Sequence, residues 1–240
     1  MKTFESQTLG LNRDEFLESV VRLEPRVAAF DCDGTLWSGD TGERFFDWEI
    51  RQGVVPAEVG HAMRARFVEY KAGRVSEDAM CGEMVTMHKG MTEIVIMKAA
   101  SDFMEQSFPG HIFPAMQELV RRLRESDCDV WAVSSSNEWV IRAGMKSFAI
   151  AEDHILATKV AVENGIITDR LACIPSGPGK PKVLRAVVNK EIDAAFGNSR
   201  WDTEMLATAK YAFAVNPNPD LEAVARRRGW PIYFPDGDGE

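Results

Sequence analysis

The chain has 240 residues, of which 45% are hydrophobic and 27% are charged, and its formal net charge is −9. A chain of this length forms one large domain or two small ones, and its composition excludes disordered, collagenous and coiled-coil proteins. No apolar stretch approaches the roughly 20 residues of a membrane-spanning helix, and the acidic charge argues against nucleic acid as a partner.

The first residues and the cysteines bear on the cellular compartment in which we expect the protein. The start of the chain lacks the apolar core and cleavage site of a secretory signal. The four cysteines are scattered, with no CxxC pair and no histidine at ligand spacing, which excludes a zinc module and indicates reduced thiols. We therefore expect a soluble, cytoplasmic protein that binds neither membranes nor nucleic acids.

Short apolar runs alternate with helical patterns along much of the chain. The runs lie at 26–30, 130–133, 194–196 and 211–215. Because they show no polar alternation, they are typical of strands buried on both faces. Helical periodicity separates them at 116–123, 182–188 and 219–228. The alternation predicts an α/β fold, a Rossmann-like core with a parallel sheet between helices.

Two segments depart from this alternation. Residues 38–112 show helical periodicity and no convincing strand, which predicts a helical cap inserted after the first strand, with 1–37 and 113–240 forming the core domain. Within the cap, Met80, Met84, Met87 and Met91 fall on one predicted helix face and are expected to pack in the cap interior. The pair Asn164-Gly165 between apolar residues predicts a small β-hairpin flap.

Two carboxylates follow the first predicted strand directly. Asp31 and Asp33 flank Cys32 and precede Gly34 and Thr35. On a turn that leaves a strand, they can face one reacting centre, one as an attacking group and the other as a proton carrier. Taken alone, these residues are more typical of a turn whose side chains cap the next helix.

Polar residues at the other predicted strand ends change this balance. Ser134 follows the second run, Asn198 and Asp202 follow the third, and Lys180 stands at a helix start, where the helix dipole does not favour a cation. Taken individually, Ser134 would be a helix N-cap and Lys180 an exposed loop lysine. Asn198 and Asp202 would offer oxygen ligands for a hard cation. Because the carboxyl ends of parallel strands share one edge of a sheet, we expect them to meet there.

The four motifs together resemble the haloacid dehalogenase superfamily, specifically its phosphoserine-phosphatase-like branch with a helical cap. They lie at 31–35, 134–137, 179–180 and 197–202, in the family's order, and the resemblance spans roughly residues 26–233. It implies the fold and the class of reaction, and it leaves the substrate open.

The resemblance implies a two-step phosphomonoester hydrolysis. Asp31 would attack phosphorus and form an aspartyl-phosphate, and Asp33 would protonate the leaving alcohol and later deprotonate the attacking water. Ser134 and Ser135 would bind phosphoryl oxygens, and Lys180 would offset the negative charge of Asp31 and the phosphate. An acid at position 33 favours ester hydrolysis over carbon–halogen cleavage, because a leaving halide needs no proton.

The resemblance also implies Mg²⁺ as the cofactor. Its ligands would be Asp31, the backbone carbonyl of Asp33, and either the Asn198 side chain or Asp202 through water. The family motif usually has an aspartate at position 198, so the site carries one negative charge less. We therefore expect weaker metal binding than in the aspartate form.

The expected substrate is a small phosphorylated metabolite. By alignment, Asp40 lies where phosphoserine phosphatases place a glutamate for the substrate amine, and Glu43 follows one turn later. The stretch 82–84, where those enzymes carry an arginine for the substrate carboxylate, contains no cation, which disfavours a phosphorylated amino acid. Trp37, with the aromatic residues at 45, 46 and 48, would form a wall suited to a cationic head group, unless these rings pack as helix-core neighbours.

Two other functions stay open at this point. One is a phosphotransferase or mutase of the same superfamily, which would pass the phosphoryl group to another acceptor. The other is a weakly active or inactive phosphate-binding protein in which Asn198 has lowered metal affinity too far. The sequence makes no prediction of the oligomeric state.

Overall fold

The computed structural model describes residues 11–235. The first residues, on which the prediction about a secretory signal rests, lie outside this range. The fold is α/β, and a single seven-stranded sheet has the order β4-β3-β2-β1-β5-β6-β7. The strands are β1 (Val27–Phe30), β2 (Asp129–Asn137), β3 (Ile155–Glu163), β4 (Ile166–Cys173), β5 (Ala194–Gly197), β6 (Tyr211–Val215) and β7 (Ile232–Tyr233).

Helices cover both faces of this sheet. They are α1 (Arg13–Val21), α2 (Thr41–Arg51), α3 (Ala57–Lys71), α4 (Glu77–Thr86), α5 (Glu93–Ser107), α6 (Pro114–Glu125), α7 (Glu138–Met145), α8 (Gly179–Val187), α9 (Thr203–Thr208) and α10 (Pro219–Arg228). None of the helices in the described range is long and apolar enough to cross a membrane.

The central strands are parallel and buried, as the apolar runs predict. β1 pairs in parallel with both β2 and β5, and every residue of β1 and β5 is buried. Because β1 pairs in parallel with β2 and β5, the carboxyl ends of these three strands lie side by side. Parallel pairing continues through β6 to β7. The predicted α/β core with a parallel sheet is confirmed.

Strand β2 is longer than its apolar run. It continues past Val133 to Asn137, where it pairs with Thr158 of β3 after a register shift. The interpretation of Ser134 as a helix N-cap is therefore wrong, because the strand runs through it. Asn137 caps α7 instead, and its side chain accepts a hydrogen bond from the Val140 backbone.

The predicted hairpin is present as β3 and β4, the one antiparallel pair in the described sheet. Its turn residues Asn164 and Gly165 have φ angles of 50° and 76°. Positive φ at both positions gives the turn a twist that matches the flanking strands, and Asn-Gly adopts it at low cost.

Four helices, α2 to α5, lie between β1 and α6, and residues 38–112 contain no strand. Phe45 and Phe103, from the first and last of these helices, join the main apolar core, whereas Phe46, Met63 and Met80 belong to a smaller cluster. The helical insertion is therefore present, and its division from the core at residues 37 and 113 stays a proposal.

The methionine stripe is shorter than predicted. Met80 and Met84 lie on α4, but the helix ends at Thr86, and the chain then turns through Gly90 with φ of 85°. Met91 therefore lies beyond the helix. Met80 is buried, and Met84 packs against the same small cluster, in agreement with a role in the cap interior.

Candidate active site

Asp31 lies at the carboxyl end of β1, at the floor of a cleft. Its backbone N–H donates to the Phe196 carbonyl at 2.9 Å, which continues the ladder with β5. Its Oδ1 accepts from the Lys180 ammonium at 2.6 Å, and its Oδ2 accepts from the Thr35 hydroxyl at 2.8 Å. Only 5% of its surface is exposed, so the carboxylate is held in one orientation.

Lys180, the second residue of α8, joins three parts of the site. Its ammonium donates to Asp31 and to Asp202, both at 2.6 Å, and to the Val133 carbonyl at 3.0 Å. With 1% of its surface exposed, it is not the loop lysine that a lone Gly-Lys pair would suggest. Burial alone would lower the pKa of Lys180, but the charges of Asp202 and Asp31 outweigh burial and raise it, so the group stays cationic.

The charge balance around Asp31 is uneven. Burial raises the pKa of Asp31 from 3.8 to about 7, and the negative charge of Asp202 adds to this effect while Lys180 opposes it. With this pKa, the carboxyl group of Asp31 is partly protonated near neutral pH, and a further cation beside it would favour its ionised form. Such a perturbed acid in a cleft is typical of a functional site.

Asp33 faces the same cleft and is held by the start of the cap. Its Oδ1 accepts from the Trp37 indole at 2.8 Å, from the Thr41 backbone at 2.7 Å and from the Thr41 hydroxyl at 2.6 Å. Its Oδ2 accepts from the Ser136 hydroxyl at 2.6 Å. The second acid is therefore fixed by the first residue of α2 and by the end of β2.

The serines at the end of β2 differ in position: Ser134 is buried, whereas Ser135 and Ser136 line the cleft. Ser134 is 1% exposed, and its hydroxyl accepts from the Ser136 backbone at 3.1 Å. Ser135 and Ser136 line the cleft beside Asp31. Of the two serines predicted to bind phosphate, Ser135 faces the open space and Ser134 lies behind it.

Asn198 lies directly against the loop that carries the two acids. A Cβ atom on Gly34 would be 1.8 Å from the Asn198 side-chain nitrogen, and the Gly34 φ of 75° also excludes most other residues. Asp31, Asp33 and Asn198 all line the cleft, so a carboxylate, a backbone carbonyl and an amide oxygen are available there as possible ligands. Such oxygen donors suit a hard cation such as Mg²⁺.

Asp202 is buried beneath the cleft and binds the backbone of the loop that carries Asn198. Its Oδ2 accepts from the backbones of Asn198 at 3.0 Å and Ser199 at 2.9 Å, while its Oδ1 accepts from Lys180. It has no exposed surface and does not line the cleft. In this geometry Asp202 positions the lysine and the Asn198 loop, and its predicted part in metal binding through water stays a prediction. Among the described residues no three His, Cys, Asp or Glu side chains are clustered to hold a metal.

The predicted aromatic wall does not face the cleft. Trp37 is fully buried against Phe108 and Phe148, and its indole N–H donates a hydrogen bond to Asp33 Oδ1. Phe45, Phe46 and Trp48 are also buried. The expectation that Trp37 contacts substrate is therefore not met, because the rings of this segment pack in the core.

Asp40 and Glu43, the other two predicted substrate contacts, do line open space. Asp40 caps α2 by accepting from the Glu43 backbone at 2.8 Å, and it borders the cleft. Glu43 pairs with Lys71 of α3 at 3.0 Å and lines a neighbouring cavity. Lys71 is a cation that the alignment of the cap did not reveal.

Several residues of the site are not among the predicted ones. Thr35, Thr41 and Ser136 hold the two acids, and Tyr70 and Glu77 of the cap line the cleft of about 540 Å³. The threonine at position 35 stands in the first motif and could have been found there. The cap residues could not, because helical periodicity does not show which side chains a helix directs at another domain.

Comparisons with known proteins identify the family of the chain. The family model described as haloacid dehalogenase-like hydrolase matches residues 28–207, three quarters of the chain. A histidinol-phosphatase of Neisseria meningitidis is 24% identical over 217 residues, which cover 86% of this chain and 97% of that protein. A phosphoserine phosphatase of Mycobacterium tuberculosis is 22% identical over 223 residues, covering 86% of this chain and 70% of that protein.

Solved structures show the same fold. A Bordetella pertussis protein of unknown function has a TM-score of 0.77 at 21% identity, covering 87% of this chain and 97% of that one. A phosphoserine phosphatase solved as an analogue of its phospho-aspartyl intermediate has a TM-score of 0.59 at 18% identity, covering 89% and 94%. The predicted family is confirmed: the chain is an enzyme of the haloacid dehalogenase-like hydrolase family.

Proposed function

We propose that the protein is a Mg²⁺-dependent phosphomonoester hydrolase that acts on a small phosphorylated metabolite through an aspartyl-phosphate. The observation that carries this proposal is the buried Lys180, which bridges Asp31 and Asp202 at the floor of the cleft. A buried ammonium between two carboxylates holds the one that faces the open space in a single orientation, which supports a role for it as the attacking group. The names of the two curated relatives, both phosphatases, support the same reaction.

The reaction has two displacements. In the first, a carboxylate oxygen of Asp31 bonds to phosphorus, the bond from phosphorus to the alcohol oxygen breaks, and Asp33 gives that oxygen a proton. In the second, Asp33 takes a proton from water, the water oxygen bonds to phosphorus, and the bond to Asp31 breaks. Ser135 would bind phosphoryl oxygens as charge develops on them, and the nearby positive charge of Lys180 would offset that charge.

The metal would be held by Asp31, the backbone carbonyl of Asp33 and the side chain of Asn198. When bound, Mg²⁺ screens the repulsion between the Asp31 carboxylate and the phosphoryl oxygens. It also favours the ionised form of Asp31, whose pKa burial otherwise raises. Because Asn198 is neutral, the site has less negative charge to attract the ion than an aspartate would give.

Hydrolysis of p-nitrophenyl phosphate tests the proposal. With Mg²⁺ and no added alcohol, we expect phosphate release that stops with EDTA and that falls at least about a thousandfold in Asp31→Asn. Thermal unfolding of the variant checks that it folds. A phosphate-binding protein would show no release with or without Mg²⁺, and a phosphotransferase would form product only when an acceptor alcohol is added.

A further inference from the structure

A second, smaller cavity opens from the catalytic cleft into the cap. Its volume is about 50 Å³. The two spaces share the same lining at their junction, formed by Asp40, Tyr70, Glu77, Ser135 and Ser136. A phosphoryl group beside Asp31 and Ser135 would therefore bring the leaving group to this junction, at the mouth of the cap cavity.

The cap cavity has an excess of negative charge. Three carboxylates line it, those of Asp40, Glu43 and Glu77, against one cation, Lys71. Lys71 is paired with Glu43 at 3.0 Å, so this pair is neutral. Asp40 and Glu77 remain without a cation among the lining residues, and both stand at the junction with the cleft.

Glu77 is fixed in place by the neighbouring helix. The Tyr70 hydroxyl of α3 donates to Glu77 Oε2 at the start of α4. Burial, together with the Glu77 charge, raises the pKa of Tyr70, so the hydroxyl stays protonated and continues to donate. Glu77 Oε1 has only a thiol, Cys81 Sγ at 3.7 Å, as a weak donor. The carboxylate thus keeps acceptor capacity for a ligand.

The rest of the cavity is partly apolar, and no unpaired cation lines it among the described residues. Phe67, Met80 and Met84 contribute its apolar lining. Arg66 of α3 is paired with Glu83 at 2.7 Å, and 44% of its side chain is exposed. Burial raises the pKa of Asp40 to about 7, so a carboxylate on the substrate would meet the Glu77 carboxylate, and Asp40 in its ionised form, without a cation to pair with.

We propose that Glu77, positioned by Tyr70, is a specificity-determining residue that binds an ammonium on the leaving group. The preferred substrates are then phosphate esters of amino alcohols that carry an apolar group and no carboxylate. This inference rests on the proposed phosphatase function. It replaces the aromatic wall expected from Trp37 by a carboxylate pair, Glu77 with Asp40, at the mouth of the cap cavity.

A matched pair of esters tests the inference. The phosphate esters of phenylalaninol and of 3-phenylpropanol differ only by the amine, whereas O-phosphoserine carries an amine and a carboxylate but no phenyl group. We expect kcat/KM for the amine ester to exceed that for its neutral analogue about tenfold or more in the wild type. In Glu77→Gln this ratio should fall about tenfold, while Asp78→Asn, an equal charge change on the exposed side of the same helix turn, should leave it unchanged.

The outcomes separate the two proposals. A wild type that hydrolyses p-nitrophenyl phosphate but shows no preference for the amine ester, or that prefers O-phosphoserine, would overturn the inference and leave the phosphatase function intact. A protein that hydrolyses none of these esters would remove both. Should Glu77→Gln fail to fold, as thermal unfolding would show, the wild-type preference alone decides.

Discussion

The ammonium of Lys180 and the carboxylate of Asp202 lie 2.6 Å apart, and neither side chain has more than 1% of its surface exposed. Asp202 also accepts from the backbones of Asn198 and Ser199. The same carboxylate therefore sets the position of the lysine and of the loop that carries the proposed metal ligand. Removing one member of such a buried pair leaves the other charge without compensation.

Asp202→Asn should consequently destabilise the fold by about 3 kcal/mol and lower kcat/KM. The amide replaces an acceptor of charged hydrogen bonds by a group that presents hydrogens to Lys180 or to the backbone donors. Urea unfolding and p-nitrophenyl phosphate hydrolysis measure the two effects. Glu204→Gln, a change of the same charge at an exposed position of α9, is the control and should leave both values near those of the wild type. Equal stability of the two variants would contradict this role of Asp202.

Asp33→Asn should separate the two chemical steps. With p-nitrophenyl phosphate the leaving group needs no proton, so the first displacement should proceed, whereas the attacking water loses its base. We expect a burst of about one p-nitrophenol per protein molecule, followed by turnover slowed by about 10²–10⁴-fold. Rapid mixing measures both phases. Steady-state turnover at the wild-type rate would show that Asp33 is not the proton carrier.

Asn198→Asp should strengthen Mg²⁺ binding. The change adds a negative charge at a residue whose side chain lies against the Gly34 loop, and an added charge there is worth about 1–2 kcal/mol, or roughly tenfold in the half-saturating Mg²⁺ concentration. Asn218→Asp is the matched control, because it adds the same charge to the same cleft while an aspartate still caps α10. Equal effects of the two changes would argue against direct binding by Asn198.

The stabilisation that Mg²⁺ gives should depend on pH through Asp31. In the metal-free protein its pKa is about 7 against an ordinary 3.8, so its contribution to folding stability is present at low pH and is lost as the pH rises from about 4 toward 7. Protons and Mg²⁺ compete for this carboxylate, so the rise in Tm with Mg²⁺ should be small near pH 5 and larger near about pH 8. In Asp31→Asn the rise should be smaller and independent of pH. A wild-type rise that is the same at both pH values would count against Asp31 as a ligand.

Much of the core could be predicted because burial leaves a direct trace in the sequence. Strands β1, β5 and β6 are unbroken apolar runs, and Asn164-Gly165 marks its turn by chemistry alone. Asp31 could be proposed because it follows such a strand directly, and Lys180 because it is a cation at a predicted helix start, where the helix dipole does not favour one. Their contact joins residues 149 positions apart, and it depends on the order of strands in the sheet, which no local pattern specifies.

The predictions that failed concern the direction of a side chain or the position at which an element ends, and not the kind of element. Trp37 is aromatic and near the acids, but whether it faces the cleft or the core depends on how α7 packs against it: a Cβ on Gly144 would be 2.9 Å from its ring. The histidines showed no pattern, yet His88 Nε2 lies 2.9 Å from Glu49 Oε2 in a fully buried pair. Likewise, no sequence pattern indicates that α3 and α4 border the cleft, so Glu77 could not be predicted as a residue of the site.

The most direct test of the account is where the phosphoryl group goes. Asp33→Asn protein is mixed with p-nitrophenyl phosphate and Mg²⁺, quenched in acid, digested and analysed by mass spectrometry. We expect one phosphoryl group on the peptide that contains Asp31, and none when Asp31 is also changed to asparagine. Phosphate release by the wild type, with no phosphoryl group on Asp31 or with one on another residue, would contradict it.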